Sequence, residues 1–546
     1  MVMASLEQAA NLYPIPPGLA IDYGTAGFRA EASTLPSTVF RTGVLAALRS
    51  RQTGAVTGLV ITASHNPEGD NGIKVADPNG GMLLRDWEAA ATALANAPTS
   101  EALAEAVQQL AVREGIPAQA PSGTVLLARD TRPSGPALAH AATQGIAAVG
   151  ATVEDRGVLT TPQLHWMVRA TNRAEAATEQ DYFRTLAAGF RELLLLAGAG
   201  RPPLAPLLVD GANGVGAAKV ERLGALLADT GLAFRVRNSG QPGEGRLNAG
   251  CGADFVQKEQ APPAGVTLDE LRAGRGASLD GDADRVVFYH CDEEGGFKLL
   301  DGDKIAVLAA GFVNEQLQAL GDEGRRWRVG VVQTAYANGA ATDYLRNGLQ
   351  LEVARTATGV KYLHEVAVQF DVGIYFEANG HGTVLLSAAL LEWLHQQSKL
   401  EGAPERHTAV RRLLALAGTV NQAVGDALSG LLLVEAVLAS RRWSTADWDA
   451  LYTDLPSRQL KVTVHDRSVI TTSHAETRAV TPAGLQDAID ACVAGVSQGR
   501  AFVRPSGTEN VVRVYAEAAM REQAASLANE VARIVHRLAG GLGTSP

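Results

Sequence analysis

One pattern recurs along this chain and limits what it can fold into. A short apolar run rich in β-branched residues ends in a polar loop punctuated by Gly or Pro, and a helical stretch often follows. Residues 56–61 run into Thr62-Ala63-Ser64-His65-Asn66-Pro67. Residues 125–128 run into Arg129-Asp130-Thr131-Arg132-Pro133-Ser134-Gly135, with helical period over 137–149. Residues 207–209 run into Asp210-Gly211-Ala212-Asn213-Gly214. Unbroken apolar runs suit strands buried on both faces, and strands alternating with helices build parallel sheets. The expectation is a mostly parallel α/β fold with ligand-handling loops at the carboxyl ends of its strands.

The first of these loops puts Ser64 just beyond a strand. A serine hydroxyl is a poor nucleophile unless a base or a charge activates it. His65 is adjacent, and Lys74 lies ten residues beyond Ser64. Taken alone, the stretch also reads as a Ser/Asn turn over 62–72. Earlier, Tyr23-Gly24-Thr25-Ala26-Gly27-Phe28-Arg29 combines glycines that admit a close ligand with an arginine suited to phosphate. Residues 1–20 read as an irregular arm, 38–50 and 86–112 as helices, and 174–196 as an amphipathic helix striped with Phe183, Leu186, Phe190, Leu193 and Leu194.

Asp280-Gly281-Asp282-Ala283-Asp284-Arg285 precedes the apolar run 286–289. In extended backbone, positions i, i+2 and i+4 share a side, so the three carboxylates converge. Crowded carboxylates repel unless a cation neutralises them, and all-oxygen ligands favour a hard ion such as Mg²⁺. A calcium-binding EF-hand is excluded, because its sixth position would be Arg285 and its twelfth Cys291. Leu300-Asp301-Gly302-Asp303 reads instead as the cap of a helix over 304–318.

Further on, Arg355-Thr356-Ala357-Thr358-Gly359-Val360-Lys361 is a cationic loop after a strand at 328–335. The strand 372–376 ends in Glu377-Ala378-Asn379-Gly380-His381-Gly382, where a carboxylate and an amide two residues apart could hold vicinal sugar hydroxyls. Residues 384–441 look mainly helical. The C-terminal part changes to short strands at 459–464 and 512–516. Between them lies Arg504-Pro505-Ser506-Gly507-Thr508-Glu509-Asn510, followed by Arg513. Two hydroxyls, backbone N–H groups around Gly507 and two guanidinia suit a dianionic phosphate.

Composition narrows the function classes. A chain of 546 residues with 46% hydrophobic and 19% charged residues supports several folded domains. The net charge of −10 without a Lys/Arg block argues against nucleic acid as a partner. Three dispersed cysteines give neither a disulfide framework nor a zinc site and suit a reducing compartment. No apolar run approaches the roughly 18 residues of a membrane span, and the N-terminal stretch lacks the apolar core of a secretory signal. The expected setting is the cytosol, with no membrane partner. Oligomeric state is not specified by the sequence.

A loop serine, three aspartates, a sugar-hydroxyl turn and a phosphate loop together match phosphoryl transfer on a phosphosugar. At this point the chain resembles the α-D-phosphohexomutases over essentially its full length. The resemblance is carried by YGTAGFR (23–29), TASHNPEGDNGIKVADPNGGML (62–83), DTRPSG (130–135), VDGANGVG (209–216), SLDGDADRVVFY (278–289), RTATGVKYLH (355–364), FEANGHGTV (376–384) and RPSGTENVVRVYAEA (504–518). FEANGHG and the early serine resemble the branch that handles N-acetylglucosamine phosphates. Asn510 departs from the Asp common in relatives.

The resemblance implies four domains, three related α/β units and a smaller α+β C-terminal one, over 1–178, 179–299, 300–444 and 445–546. It implies a mutase interconverting N-acetylglucosamine 6-phosphate and 1-phosphate for UDP-N-acetylglucosamine synthesis. Ser64 would carry a phosphoryl group, and Mg²⁺ would be held by Asp280, Asp282, Asp284 and the phosphoserine. A hexose 1,6-bisphosphate would be primer and intermediate. Glu377 and Asn379 would grip the sugar. Lys361, Arg504, Ser506, Gly507, Thr508 and Arg513 would also bind substrate, the last five holding the phosphate that is not reacting. His65 and Lys74 are the implied proton carriers, with Arg29 and Arg132 as charge stabilisers. The alternatives are a glucose or mannose phosphomutase, a Mg²⁺ phosphatase and a non-catalytic phosphosugar-binding protein.

Overall fold

A computed structural model describes residues 3–117, 121–198, 204–272, 274–400, 402–507 and 509–545. The chain divides into two compact units, residues 1–302 with 379–446, and residues 303–378 with 447–546.

The first unit is built on two mixed sheets. One contains β1 (Phe28–Glu31), β2 (Thr57–Ile61), β3 (Asp70–Ala76), β4 (Thr124–Arg129) and β5 (Thr152–Val158), in the order β1-β3-β2-β4-β5. β2, β4 and β5 run parallel, while β3 is antiparallel to both β1 and β2. Its central strands β2 and β4 are buried on both sides. Leu59, Ile61, Val125 and Leu127 meet the helix Pro36–Thr53, and Val60, Leu126 and Ala128 meet the helix Thr161–Asn172. Double burial is why these strands read as continuous apolar runs.

The second sheet contains β6 (Leu207–Asp210), β7 (Phe234–Arg237), β8 (Arg275–Leu279), β9 (Val286–Cys291) and β10 (Phe297–Leu300), in the order β10-β9-β8-β6-β7. β6, β7 and β8 are parallel, and β9 turns back antiparallel to β8. The helix Glu179–Leu196 buries the expected stripe of Phe183, Leu186, Phe190, Leu193 and Leu194. Its Tyr182 hydroxyl donates to Asp426 at 2.7 Å, at the start of the helix Ala427–Arg441.

The second unit contains β11 (Val329–Gln333), β12 (Glu352–Arg355) and β13 (Val372–Phe376), parallel with β11 in the middle. The strand β14 (Gly382–Leu386) belongs to the first unit. The second unit then adds β15 (Ser457–Thr463), β16 (Thr471–Ser473), β17 (Arg478–Thr481), β18 (Arg500–Pro505) and β19 (Val511–Glu517). β19 lies between β15 and β18, antiparallel to both. One face of that sheet packs Val462, Val503, Val512 and Val514 against Leu527, Val531 and Val535 of the helix Arg521–Leu538. On the other face Phe502 and Tyr515 pack with Ala335 and Tyr336, beyond β11.

Four expectations change. The sheets are mixed, because residues 70–76 form a strand after a tight turn at Pro67–Asp70 instead of a loop. The arm at 1–20 opens with the helix Met3–Ala10, whose Leu6 and Ala10 enter the core of the first sheet. The helix expected over 86–112 is two, Arg85–Ala95 and Ser100–Arg113, because Pro98 interrupts it and Thr99 caps the second. The helix expected from 174 starts at Glu179, where Thr178 and Asp181 form a capping box. Residues 199–203, in the Gly/Pro-rich stretch before β6, lie outside the described residues.

Candidate functional site

Within the first unit, parallel strands deliver the candidate residues to neighbouring carboxyl ends. Ser64 follows β2, Asp130 and Arg132 follow β4, and Asp280 follows β8. Ser64 is fully buried and holds a left-handed backbone, φ +51°. That conformation is uncommon for a non-glycine residue and collects at functional sites. The loop is over-determined. The Ser64 amide donates to Thr62 Oγ1 at 3.0 Å, and Thr62 donates to Asp130 Oδ2 at 2.7 Å. Arg132 and Asn248 both donate to the carbonyls of Ser64 and Asn66, at 2.8–3.1 Å.

Ser64 Oγ donates to Asp280 Oδ2 at 2.6 Å. Asp280, Asp282 and Asp284 are all buried, and each offers a carboxylate oxygen within 4.8 Å of the others. The aspartates converge, but not through an extended strand. Residues 280–284 form a turn in which Ala283 is left-handed (φ +57°), and the amides of Asp284 and Arg285 fold back onto Asp280 Oδ1. Strand spacing alone would leave alternate residues roughly 6–7 Å apart; the turn closes that gap.

The donor set fits a hard divalent cation. Asp282 Oδ1 and Asp284 Oδ1 are enclosed and make no aligned hydrogen bond. Burial, and then the charges of Asp284 and Asp282, push the Asp280 carboxyl well above its usual range. Lys74 Nζ offsets part of the charge, at 2.7 Å from Asp282 and 2.8 Å from Asp284. Burial works against its charge, but the two carboxylates outweigh it and raise its pKa. Arg285 adds contacts at 3.7 and 3.8 Å to Asp284 and Asp280.

The other first-unit candidates fall in distinct places. Arg29, on β1, feels Arg285 and all three aspartates, and burial, first, lowers its pKa. His65 is held far below the ordinary imidazole range by the positive charge of Arg285, then by burial and Arg29, so it is neutral. Its Nδ1 is enclosed without a hydrogen-bond partner among the described residues. Arg132 commits its guanidinium to the loop: Nε to Asp130, Nη1 to the carbonyls of Pro67 and Asp70, and Nη2 to those of Ser64 and Asn66. The structure gives it a clamp's position.

Sequence reasoning missed three participants in the first unit. His381, read there as a turn residue, places Nδ1 3.2 Å from Asp284 Oδ1. Thr161 donates to Asp282 Oδ2 at 2.6 Å. Asn248 clamps the Ser64 loop as described. His381 lay in FEANGHGTV, a stretch singled out as family-like; no spacing rule points to Thr161 or Asn248. The turn bearing His381 is fixed by Gly380, whose φ is +86°. The amide of Val286 donates to Gly380 O at 3.3 Å, and a Cβ at 380 would stand 1.9 Å from Val286 O.

In the second unit, Arg504 on β18 is paired with Arg513 on β19, and Arg513 with Lys461 on β15. Residues directly opposite share a face, so three cations form a row across the sheet. Ser506 is buried in the β18–β19 connection, and its amide donates to Val511 O at 2.9 Å. Gly507 is exposed, and Thr508 lies outside the described residues. Lys361 is buried in the first turn of the helix Val360–Ala367. Glu377 follows β13, and its charge bears on Tyr375. Asn379 falls in the first unit, where its Oδ1 accepts from the His381 amide at 3.0 Å. Glu476, also unforeseen, accepts from Thr358 N and Oγ1 at 2.9 and 2.5 Å and lies 3.4 Å from Arg504 Nε.

Comparison with known proteins bears on this arrangement. Four family models match in succession. They are the phosphoglucomutase/phosphomannomutase alpha/beta/alpha domain I (residues 26–102 and 91–178), phosphoacetylglucosamine mutase AMG1 domain II (172–287), AMG1 domain III (301–443), and the phosphoglucomutase/phosphomannomutase C-terminal domain (474–534). A phosphoacetylglucosamine mutase of Arabidopsis thaliana is 51% identical, over 98% of this chain and 99% of its own. The N-acetylphosphoglucosamine mutase of Aspergillus fumigatus, solved in complex with GlcNAc-6P and magnesium, is 42% identical with a TM-score of 0.92 over 99% of both chains. A serine-to-alanine variant of the Aspergillus fumigatus enzyme, in complex with glucose 1,6-bisphosphate, is 43% identical with a TM-score of 0.91, again over 99% of both chains.

Proposed function

Because the chain belongs to the phosphoacetylglucosamine mutase family of the phosphohexomutases, we propose that Ser64 is the residue that carries its transferred phosphoryl group. The enzyme is an isomerase. It interconverts N-acetylglucosamine 6-phosphate and N-acetylglucosamine 1-phosphate, in UDP-N-acetylglucosamine biosynthesis. The observation that carries the assignment is Ser64 Oγ, strained, buried and 2.6 Å from one of three clustered aspartates.

Phosphorylated Ser64 gives its phosphoryl group to O1 of the 6-phosphate sugar. The bond from phosphorus to Ser64 Oγ breaks, a bond from phosphorus to O1 forms, and the O1 proton leaves to a nearby base. The resulting 1,6-bisphosphate turns over, and its 6-phosphoryl group returns to Ser64. Asp280, Asp282, Asp284 and a phosphoserine oxygen would hold Mg²⁺, which when bound neutralises charge on the transferring group. Lys74, Arg285 and Arg29 add fixed positive charge around it. His65 and Lys74 are the candidate proton carriers, and a phosphoryl group on Ser64 would offset the positive charge that now weakens His65 as a base. Arg132 and Asn248 keep the Ser64 loop aimed. His381 and Thr161 orient Asp284 and Asp282.

Glu377 and Asn379 grip sugar hydroxyls. Arg504, Ser506, Gly507, Thr508 and Arg513 hold the unreacting phosphate, with Lys461 extending the cation row and Lys361 as a further substrate contact. A 1,6-bisphosphate serves as primer; the Aspergillus complexes with glucose 1,6-bisphosphate and with GlcNAc-6P and magnesium support this ligand set. The matched family stretches support four domains at 1–178, 179–299, 300–444 and 445–546. The free thiols of Cys251, Cys291 and Cys492 support the cytosol. No helix among the described residues is long and apolar enough to cross a membrane.

Phosphorus NMR tests the reading. The protein, with Mg²⁺ and a trace of hexose 1,6-bisphosphate, converts N-acetylglucosamine 6-phosphate to its 1-phosphate faster than it converts glucose 6-phosphate. A chelator or Ser64→Ala stops turnover. Faster conversion of glucose 6-phosphate would overturn the sugar assignment, and full activity in Ser64→Ala would overturn the phosphoserine.

A further inference from the structure

Tyr336 stands just beyond β11, in the second unit. Its ring meets Phe502 and Tyr515 edge-on, at centroid distances of 5.1 and 5.7 Å, so packing on the sheet face fixes where its hydroxyl points. That hydroxyl is enclosed; its oxygen faces Arg504, and its proton has no acceptor among the described residues. The charged groups bearing on it are Arg504, Arg513 and Glu476. The two guanidinia can only donate. Glu476 is the one acceptor among these charged groups, and both its oxygens are engaged, Oε1 facing Arg504 Nε and Oε2 held by Thr358. Arg504 Nε is itself enclosed without an aligned hydrogen bond.

The cluster thus contains two enclosed donors, the Tyr336 proton and Arg504 Nε, that make no aligned hydrogen bond among the described residues. Buried donors are normally satisfied, and leaving them unsatisfied is costly. An incoming oxyanion would supply several acceptor oxygens at once. The charge count agrees: Arg504, Arg513 and Lys461 against Glu476 leave a net +2, matched to a dianion. Glu476 offsets Arg504 in part, and the contact at 3.4 Å is loose enough for a phosphate to draw the guanidinium away.

We propose that Tyr336 is a further phosphate-binding residue of this enzyme, its hydroxyl donating to the sugar phosphate that Arg504 and Arg513 neutralise. The proposal rests on the reading of the β18–β19 connection as the phosphate site. The guanidinia supply charge, and the phenol, rigid on its aromatic bed, supplies direction. Burial, opposed by the two guanidinia, raises the hydroxyl above its ordinary pKa, which keeps it a donor.

Tyr336→Phe removes one oxygen and keeps the ring. The comparison is Arg513→Ala, with two readouts: KM for N-acetylglucosamine 6-phosphate, and the inhibition constant of inorganic phosphate as competitor. Tyr336→Phe is expected to raise both about tenfold, as the loss of one hydrogen bond to a charged group, with kcat changed less and the melting temperature unchanged. If Arg513→Ala weakens phosphate and Tyr336→Phe does not, the Tyr336 proposal fails and the phosphate site stands. If neither variant moves the phosphate constant, the site reading fails and Tyr336 with it. Should Tyr336→Phe not fold, 3-fluorotyrosine placed at 336 carries the test. Its fluorine resonance shifts as phosphate is added if the proposal holds, and an unmoved resonance overturns it.

Discussion

Gly380→Ala is the most informative single change outside the Ser64 loop. The new Cβ would sit 1.9 Å from Val286 O and 2.5 Å from Val286 C, where ordinary contact starts near 3.4 Å. The backbones must therefore part by about 1.5 Å (3.4 less 1.9). The φ of +86° adds about 1–2 kcal/mol for a residue with a side chain. Separation also loosens the bond from Val286 N to Gly380 O, worth about 1 kcal/mol. Overpacking adds about 1–3 kcal/mol. The local cost of about 3–6 kcal/mol falls between β9, which opens directly behind Asp284, and the turn that carries His381. Because His381 is 3.2 Å from Asp284, the change displaces a proposed metal ligand and its neighbour together. A misplacement near 1 Å costs about a hundredfold in rate. Steady-state kinetics should show kcat reduced about 100-fold, with a lowered melting temperature. A Gly380→Ala enzyme within threefold of the parent kcat would refute the idea that this contact holds the aspartate turn in place.

Two further outcomes follow from the geometry. Arg132→Met leaves the buried Asp130 carboxylate without its cation and takes the guanidinium from four loop carbonyls, two of which keep Asn248, a change of the kind that costs about 3–5 kcal/mol; thermal melting should drop and activity fall below a hundredth, Arg132→Lys should recover only part because one ammonium cannot span the fork, and full activity in either would sink the clamp reading. His165 is buried against Gly80 O, and burial, first, takes its pKa from 6.5 to about 4. The folded state thus disfavours the imidazolium: its contribution is intact above pH 6.5, and up to about 3 kcal/mol is lost as pH falls from 6.5 to 4. His364 behaves alike. Melting temperatures measured between pH 7 and 4.5 should fall, and fall less in His165→Gln; an identical slope in that variant would discount His165.

Much of the candidate site was legible in the order of residues. Ser64, the three aspartates and the Arg504–Arg513 loop each lie on one continuous stretch, and a short stretch carries its own turn and charge pattern. The strands were legible because burial on both faces leaves an unbroken apolar run. The helix Glu179–Leu196 showed its stripe for the same local reason. β3 stayed hidden because Asp70, Asn71 and Gly72 read as turn residues, and only pairing with β1 and β2 makes them a strand.

What tertiary structure decided is who meets whom. The sequence alone determined that three carboxylates converge, but it suggested extended backbone; the turn with left-handed Ala283 that brings them together is set by amides folding back onto Asp280. Thr161, Asn248, His381 and Glu476 each act across about a hundred residues of chain or more, and no spacing rule encodes such a meeting. Arg132 shows the same limit from the other side. Its presence beside a loop was legible, yet its duty was fixed by four carbonyls that only the folded Ser64 loop turns towards it. Local patterns report what a residue can do; the packing of sheets and helices decides which partner is within about 3 Å.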